Sequence, residues 1–459
     1  MIGTKNKKFD MTEGPLLGKM VRFALPIICT NLLQVFYNSA DMFVVGNFCD
    51  DKNALGSVGC TSSIVSLILG LMTGLGAGVS VTISQSIGAK DKKRIERAIH
   101  TAIVLAVIVG MIVGAIGFFF APMLLELMKT PEVFMEKAVL YVQIYFCGTI
   151  GNALFNFCTG IIRSRGDTMR PLIFSSFGGI TNVLLNLIFV IVFGMGVEGV
   201  AIATIIAQMI SAVLSFIHLL RLNDDCKVVF KNLRIDRNML KSFIRIGIPA
   251  GVQGMVFAFS NMLLQGSYNQ LGPNAVNANT AAQNVDVYIY NVQAAFYHTA
   301  LNFSSQNYGA KKYDRIWKIM SLNCILVTVF GFSLGLLSSV FAEQLIWIFN
   351  KDPQVIELAK TRLYIVGFLY FECGIMETGT AMLRSIGRSL TGTVISIFGS
   401  CVMRIVWINT VFIIFPSLFT LYMVYPVTWT LTLAVNLITF AYVFKKKIKQ
   451  EQSLQLQQI

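Results

Sequence analysis

The sequence contains an internal duplication, because landmark segments of its first half recur about 222 residues later in its second half. Solenoid repeats run roughly 20 to 50 residues, so the repeated unit here is half a protein. The chain must therefore fold into two related halves. The repeated pairs are Phe23-Ala-Leu-Pro26 with Ile246-Gly-Ile-Pro249, Ser86-Ile-Gly-Ala-Lys90 with Asn307-Tyr-Gly-Ala-Lys311, Leu-Met-Lys-Thr-Pro131 with Phe-Asn-Lys-Asp-Pro353, and Ile162-Arg-Ser-Arg-Gly166 with Leu383-Arg-Ser-Ile-Gly387.

The material between the landmarks is apolar enough to be membrane helix. Hydrophobic residues make up 55% of the chain, charged residues only 13%, and the mean hydropathy is +0.67. Soluble globular domains do not have this composition. Segments of roughly 20 residues, long enough to cross a bilayer, recur about twelve times. They are predicted near residues 17–48, 54–87, 98–128, 133–162, 172–193, 197–220, 242–271, 275–308, 316–349, 355–383, 392–415 and 419–444.

The net charge of +14 is unevenly distributed between the loops. If the loops alternate between two sides, one side holds 30 of the 37 lysines and arginines. This asymmetry follows the positive-inside rule and places both termini in the cytoplasm, so it does not indicate nucleic-acid binding. Arg404 lies within a helix, and the other side is assigned Lys52, Lys129, Lys137, Lys351, Lys360 and Arg362.

These patterns predict an all-α polytopic membrane protein with 12 transmembrane helices in two pseudo-symmetric six-helix bundles. The predicted domains are residues 1–222, a cytoplasmic linker at 223–241, and residues 242–459 with a basic cytoplasmic tail. Each repeat has an even number of spans, so both insert the same way and are related by an axis along the membrane normal.

Several other classes are disfavoured. The polar start of the chain lacks the short apolar core of a signal peptide, so the first helix is expected to be retained. The nine cysteines form no C-x-x-C pair, and no clustered histidines suggest a metal site. A Walker A sequence is absent from the chain, which gives no support for ATP hydrolysis. We therefore expect neither a bound cofactor nor an enzyme.

Ionisable side chains inside membrane helices are costly and therefore indicate function. The repeat offset aligns these groups with uncharged residues in the other half, so each half is expected to have its own chemistry. The five groups are Asp41, Asp286, Glu372, Glu377 and Arg404, and their counterparts are Leu264, Val65, Gly151, Asn156 and Val183.

The first helix carries a polar stripe that ends at Asp41. Asn31, Gln34, Asn38 and Asp41 are spaced by three or four residues, and Tyr37 lies one turn before Asp41. One carboxylate with neutral oxygens suits H⁺ or Na⁺, and the pattern does not distinguish them. The alternative is a buried Asp41 that only locks the helices together. The neutral oxygens of the candidate site would come from Asn182, Asn186 and Thr204, with Gln34 beside them.

The predicted helix at 275–308 in the second half is expected to line a wet cavity or to pack against protein, because it is too polar to face lipid. Arg404 needs a counter-ion, for which Glu377 or Glu372 is the expected partner, either as a structural ion pair or in substrate binding. The candidate cavity residues are Tyr37 and Asn38 from the first half and Gln253, Ser260, Gln283, Asp286, Glu377 and Arg404 from the second.

The joint pattern resembles the multidrug and toxic compound extrusion (MATE) family over essentially the whole chain. The resemblance rests on Pro26, Asp41-Met-Phe-Val-Val-Gly46, the Gln85-Ser-Ile-Gly88-Ala89 and Gln306-Asn-Tyr-Gly309-Ala310 turns, the Arg163 and Arg384 segments, and Asn182 with Gly199-Val-Ala-Ile-Ala-Thr204. It implies two six-helix bundles in a V shape around a central cavity. It also assigns Asp41, Asn182 and Thr204 to a first-half ion site, whereas Asn186 stands where a second acid often occurs.

The resemblance implies a secondary active antiporter that exports organic, often cationic compounds in exchange for H⁺ or Na⁺ by alternating access. We expect small organic substrates, contact with membrane lipid, no nucleic acid, no obligatory protein partner and a bacterial plasma membrane location. A lipid or lipid-linked oligosaccharide flippase is one alternative, but only Arg404 is expected to be a cation inside the helices, against four acids. A membrane-embedded enzyme is a second alternative, because His298 and Asp286 share a helix, yet they are roughly 18 Å apart.

Overall fold

A computed structural model describes residues 9–49, 54–128 and 130–456, and within these ranges the chain forms helices and connections without β-strands. Lys52 and Lys129, two of the bases assigned to the outer side, lie outside the described residues. The first repeat contributes α1 (Leu16–Phe48), α2 (Ala54–Gly88), α3 (Lys92–Leu127), α4 (Glu132–Cys147), α5 (Thr149–Ser164), α6 (Met169–Leu187) and α7 (Val197–Leu220).

The second repeat is more interrupted than the first. Two π-helical turns, Leu363–Gly367 and Ile397–Val402, join consecutive helices, and Ile188–Val192 is a similar turn after α6. The second repeat contributes α8 (Arg237–Gln270), α9 (Pro273–Gly309), α10 (Tyr313–Val340), α11 (Ala342–Trp347), α12 (Pro353–Arg362), α13 (Tyr370–Ser385), α14 (Ser389–Ser396), α15 (Met403–Asn409), α16 (Val411–Ile414) and α17 (Leu418–Leu456).

The predicted all-helical membrane fold is confirmed. Within the described ranges, nine helical segments are long and apolar enough to cross a membrane. The pair α4 and α5, bent by 45°, passes the same test together and gives a tenth if the pair is counted as one span. The remaining two of the twelve predicted segments are α9, which is rich in polar side chains, and α12 with α13, which a π-helical turn interrupts. Both bury much of their polar content inside protein.

The repeated sequence landmarks form the same backbone in both halves. Lys90 and Lys311, 221 residues apart, have positive φ values of 55° and 56°, and they are the non-glycine residues of the described chain that do so. Gly166 and Gly387 share the left-handed region with φ of 89° and 79°. Because residues other than glycine rarely adopt this conformation, its recurrence at equivalent lysines shows that the duplication extends to the turns.

The chain forms two compact units, each with its own apolar core. Unit 1 comprises Leu25–Gly251 and the segment that ends at Glu13, and unit 2 comprises Gly14–Ala24 and Val252–Ile459. The helices α1 and α8 therefore change unit partway along, one and two residues from Pro26 and Pro249 respectively. In unit 1 the core includes Val79, Ile99, Phe157 and Phe243, and in unit 2 it includes Leu264, Val366, Tyr422 and Trp429.

Candidate functional site

The candidate ion site of unit 1 gathers four side chains from three helices. Asn186 Nδ2 of α6 donates a hydrogen bond to Asp41 Oδ1 of α1, and Thr204 Oγ1 of α7 lies 3.4 Å from Asp41 Oδ2. Asn182 Nδ2 donates to Thr204 Oγ1 at 3.3 Å, and its Oδ1 lies 3.5 Å from Asn186 Nδ2. Both carboxylate oxygens of Asp41 thus face neutral donors.

The spacing on α6 explains why the two amides act together. Asn182 and Asn186 are four residues apart, one helical turn, and are 4% and 0% exposed. Asn186 uses its amide nitrogen on Asp41, and its Oδ1 is buried with no hydrogen-bond partner among the described residues. Buried amide oxygens are normally satisfied, so this atom is available to a further donor or to a cation.

A close approach of α1 to α6 sets the position of Asp41. The ring of Tyr37 packs directly on Gly179, where a Cβ atom would lie 1.7 Å from the ring. The hydroxyl of Tyr37 lies 3.5 Å from the carbonyl oxygen of Ser176. Tyr37 and Asp41 are one turn apart on α1, so the glycine brings the carboxylate to the amides. The structure thus places Tyr37 in the support of the candidate ion site.

The remaining first-half candidates lie away from this network. Gln34 is two turns before Asp41 on α1, and both it and Asn38 are exposed. Neither side chain makes a hydrogen bond within the part of the chain that the structure describes.

Sequence reasoning missed part of the surroundings of Asp41. Tyr141 and Tyr145 of α4 are buried, stack on each other at a centroid distance of 6.5 Å, and interact electrostatically with Asp41. Gln208, one turn after Thr204 on α7, lies beside Tyr145. The available signal was the four-residue spacing of both pairs, which places each pair on one helix face.

A buried ion pair occupies the core of unit 2. Arg362 Nε donates to Asp286 Oδ2 at 2.8 Å, and both side chains are only 4% exposed. Arg362 Nη1 also donates to Asn279 Oδ1 at 2.9 Å, and the guanidinium lies 4.8 Å from the ring centre of Tyr425. Arg362, which the charge count assigned to the other side with the loop residues, is thus a buried residue of α12. Asp286, predicted to line the substrate cavity, is held in this pair.

A second arginine, Arg384, is buried near the C-terminal end of α13. Arg384 is 5% exposed and donates to Gln253 Oε1 at 2.8 Å and to the hydroxyl of Tyr297. Glu377, seven residues earlier on α13, interacts electrostatically with Arg384 but makes no ion pair or hydrogen bond with a described residue. The structure therefore relates both Gln253 and Glu377 to Arg384.

The expected counter-ion of Arg404 was wrong. Arg404 Nη1 donates to Asn261 Oδ1 at 2.9 Å, and no carboxylate of the described residues lies within 4.0 Å of its guanidinium. Glu372 instead accepts a hydrogen bond from Thr430 at 2.7 Å. Because Arg362 and Arg384 are also buried, the expectation of one arginine against four acids inside the helices was wrong too. The case against a flippase loses that support.

The last two second-half candidates, Ser260 and Gln283, differ in burial. Ser260 is buried beside Cys401. Gln283 is exposed on α9 and makes no hydrogen bond to the described residues.

Comparison with known proteins identifies the family. The family model described as MatE matches residues 26–188 and 249–409, which cover most of both repeats. The chain belongs to the MATE family. The resemblance read from the sequence is thereby confirmed, and so is the assignment of the chain to the membrane transporters. Both matched ranges begin at the repeated prolines, Pro26 and Pro249.

Individual MATE relatives span nearly the whole chain. The probable multidrug resistance protein YpnP of Bacillus subtilis is 30% identical over 400 residues, covering 87% of this chain and 89% of the relative. The multidrug export protein MepA of Staphylococcus aureus is 23% identical, covering 94% and 93%. An outward-facing structure of a multidrug resistance MATE transporter superposes with a TM-score of 0.90 at 19% identity, over 97% of this chain and all of that one. This last likeness supports the fold.

Proposed function

We propose that this protein is a secondary active antiporter that exports small organic compounds from a bacterial cell in exchange for H⁺ or Na⁺. The proposal is supported chiefly by one observation: Asp41 lies in a membrane helix, and its oxygens meet only neutral donors from Asn186 and Thr204. An uncompensated carboxylate in a membrane is costly, so a cation that neutralises it gains free energy. The names of the relatives YpnP and MepA support export of organic compounds.

The network suggests how cation binding changes the helices. The hydrogen bonds of Asp41 tie α1 to α6 and to α7. A proton or Na⁺ on the carboxylate would replace these donors and release α1. Pro26 lacks an N–H, so the carbonyl of Arg22 loses its helical partner and α1 can bend there. Transport would then follow from the different affinities of the two states for ion and substrate.

The uneven loop charge supports the orientation. The basic loops, both termini and the linker would face the cytoplasm, so the cation would enter from outside and the organic compound would leave.

The test is ion-driven uptake in proteoliposomes. Full-length protein is reconstituted, the inverted population is assayed, and uptake of rhodamine 123, an organic cation, is followed after Na⁺ or H⁺ is concentrated inside the vesicles. We expect one gradient to drive uptake and Asp41→Asn to abolish it. Asp91→Asn is the matched control, since Asp91 caps α3 in a loop and asparagine caps equally well. Uptake in Asp41→Asn as fast as in the control would refute the proposed role of Asp41.

A further inference from the structure

Unit 2 buries two arginines that have no carboxylate partner. Of its arginines in the membrane segments, Arg362 is paired with Asp286. Arg384 and Arg404 are 5% and 3% exposed, and neither forms an ion pair with a described residue. A charge taken out of water without a counter-ion is costly, so such a group is retained only where something compensates it.

Arg404 is the less satisfied of the two. A guanidinium has five N–H donors, and Arg404 makes one hydrogen bond among the described residues, from Nη1 to Asn261. Its Nε is buried and has no partner there. The rings of Phe257 and Tyr425 lie 5.9 and 4.8 Å from the guanidinium. These aromatic faces stabilise the cation, but they do not neutralise it.

Arg384 has a similar arrangement, and its acceptor lies two turns before that of Arg404 on α8. Its Nε is also buried without a partner among the described residues, and it lies over the ring of Tyr297 at 5.6 Å. Its acceptor Gln253 and the acceptor of Arg404, Asn261, are eight residues apart on α8, or roughly 12 Å. Phe257 lies midway between them. One stripe of α8 thus holds both guanidiniums with neutral oxygens.

Two residues beside the buried arginines are exposed on unit 2. Asn261, which holds Arg404, is exposed, and so is Tyr290, which interacts electrostatically with Glu377 and Arg384. A planar guanidinium with unused N–H groups matches the geometry of a carboxylate or phosphate. The aromatic rings beside it suit an apolar body attached to that group.

We propose that Arg404, supported by Arg384, binds the carboxylate or phosphate group of the organic molecule that unit 2 takes up. The inference rests on the proposed export function and defines its substrate class: an organic molecule with an anionic group beside an aromatic or aliphatic body. Glu377, which has no ion pair, leaves room for a cationic nitrogen on the same molecule. The class therefore includes zwitterions.

The depth of Arg404 favours a transported molecule over a lipid headgroup. Arg404 lies 15 residues after Ser389 and 10 before Ile414, or roughly 22 and 15 Å from the two ends of its segment. Lipid headgroups lie at the interface, roughly 15 Å from the centre of the hydrocarbon core. An anion at mid-depth is therefore that of a solute in the protein.

The test compares two dyes that differ at one group. Rhodamine 110 carries a free carboxylate, and rhodamine 123 is its methyl ester. Binding of each dye to the full-length protein in phosphatidylcholine nanodiscs is measured by fluorescence anisotropy, without an ion gradient. We expect rhodamine 110 to bind more tightly, and Arg404→Gln to weaken it about tenfold while rhodamine 123 changes less than about twofold. Arg388→Gln, an exposed loop arginine, is the matched control.

Two further arms keep the result decisive. In the wild type, sodium benzoate should displace rhodamine 110 and spare rhodamine 123, and this measurement does not depend on the folding of a variant. Equal affinity for both dyes together with no effect of benzoate would overturn the proposal. A second result would also overturn it: rhodamine 110 binds the wild type more weakly in phosphatidylglycerol than in phosphatidylcholine nanodiscs, and this difference disappears in Arg404→Gln. The site would then hold a lipid headgroup.

The binding assay also separates this proposal from the proposed antiport. If a gradient drives uptake of rhodamine 123 but rhodamine 110 binds no more tightly, the anion site is refuted and the proposed antiport is supported. A clear preference for rhodamine 110 with no driven uptake would do the reverse.

Discussion

The equivalent positions Asp41 and Leu264 of the two repeats have different side chains and different surroundings. In unit 1, Asp41 meets the amide of Asn186 and the hydroxyl of Thr204. At the corresponding position of unit 2, Leu264 is 1% exposed and packs in an apolar cluster with Tyr268 and Tyr422. At this position unit 1 therefore holds an acid among neutral donors, and unit 2 holds a leucine in an apolar cluster.

The difference teaches where duplication is preserved. The turns at Lys90 and Lys311 keep the same backbone, and so do those at Gly166 and Gly387. Turn geometry depends on local sequence, whereas buried charges depend on partners from distant helices. The helix ends are thus fixed in both halves, and the interiors are free to acquire different ligands.

The largest effect on the free energy of unfolding is expected when the buried ion pair of unit 2 is broken. Asp286→Ala leaves Arg362 buried without its partner, and we expect a loss of about 3 to 5 kcal/mol in the free energy of unfolding. The measurement is an SDS-unfolding titration of the purified protein. The double variant Asp286→Ala with Arg362→Leu should recover much of the loss, because no charge is left unpaired. A double variant as unstable as the single one would contradict this account.

The second prediction exchanges the equivalent residues. Leu264→Asp places a carboxylate in an apolar cluster and should cost about 3 kcal/mol or more, measured by the same titration. Asp41→Leu should cost only about 1 kcal/mol, yet abolish ion-driven uptake. Leu264→Met is the control for volume, with an expected cost below about 1.5 kcal/mol. Similar losses for the two exchanges would mean that the two positions have the same surroundings.

The third prediction sharpens the description of unit 1. Asn186→Leu removes the donor to Asp41 Oδ1, and we expect the ion concentration for half-maximal uptake to change about tenfold. Thr204→Val removes the longer contact at 3.4 Å, and we expect a change of about threefold. The proteoliposome assay measures both. The reverse order would show that the hydroxyl, rather than the amide, controls cation binding.

The smallest effect on stability is expected at Lys360, two residues from Arg362 of the buried ion pair. Lys360 pairs with Glu357 on the surface at 2.9 Å, one turn along α12. Exposed pairs of this kind contribute little, so Lys360→Gln should leave the SDS-unfolding midpoint unchanged. A variant that removes only one partner of the Asp286–Arg362 pair should lower it. A measurable shift would show that the surface pair supports the buried one.

Much of this architecture could be predicted from the sequence. Hydropathy and repeat offset gave the helices, and the helical spacing of Asn182 and Asn186 put both amides on one face. The pair of Asp286 with Arg362 could not be predicted, because spacing along one helix does not tell which helices face each other. Arg362 precedes a π-helical turn near a segment end and therefore resembles a loop residue. The surroundings of Arg384 and Arg404 could not be predicted either, because these arginines contact aromatic rings and amides, which carry no opposite charge in the sequence.

The division of α1 and α8 between the units has a consequence for biosynthesis. Unit 1 takes in the chain up to Gly251, and unit 2 takes in Gly14–Ala24. The ribosome must therefore pass the linker and make half of α8 before unit 1 is complete. Gly14–Ala24 is made before the rest of unit 2, Val252–Ile459, and has to wait for it. Two fragments cut within the linker would each lack a piece of their own unit, so they should mature together or not at all.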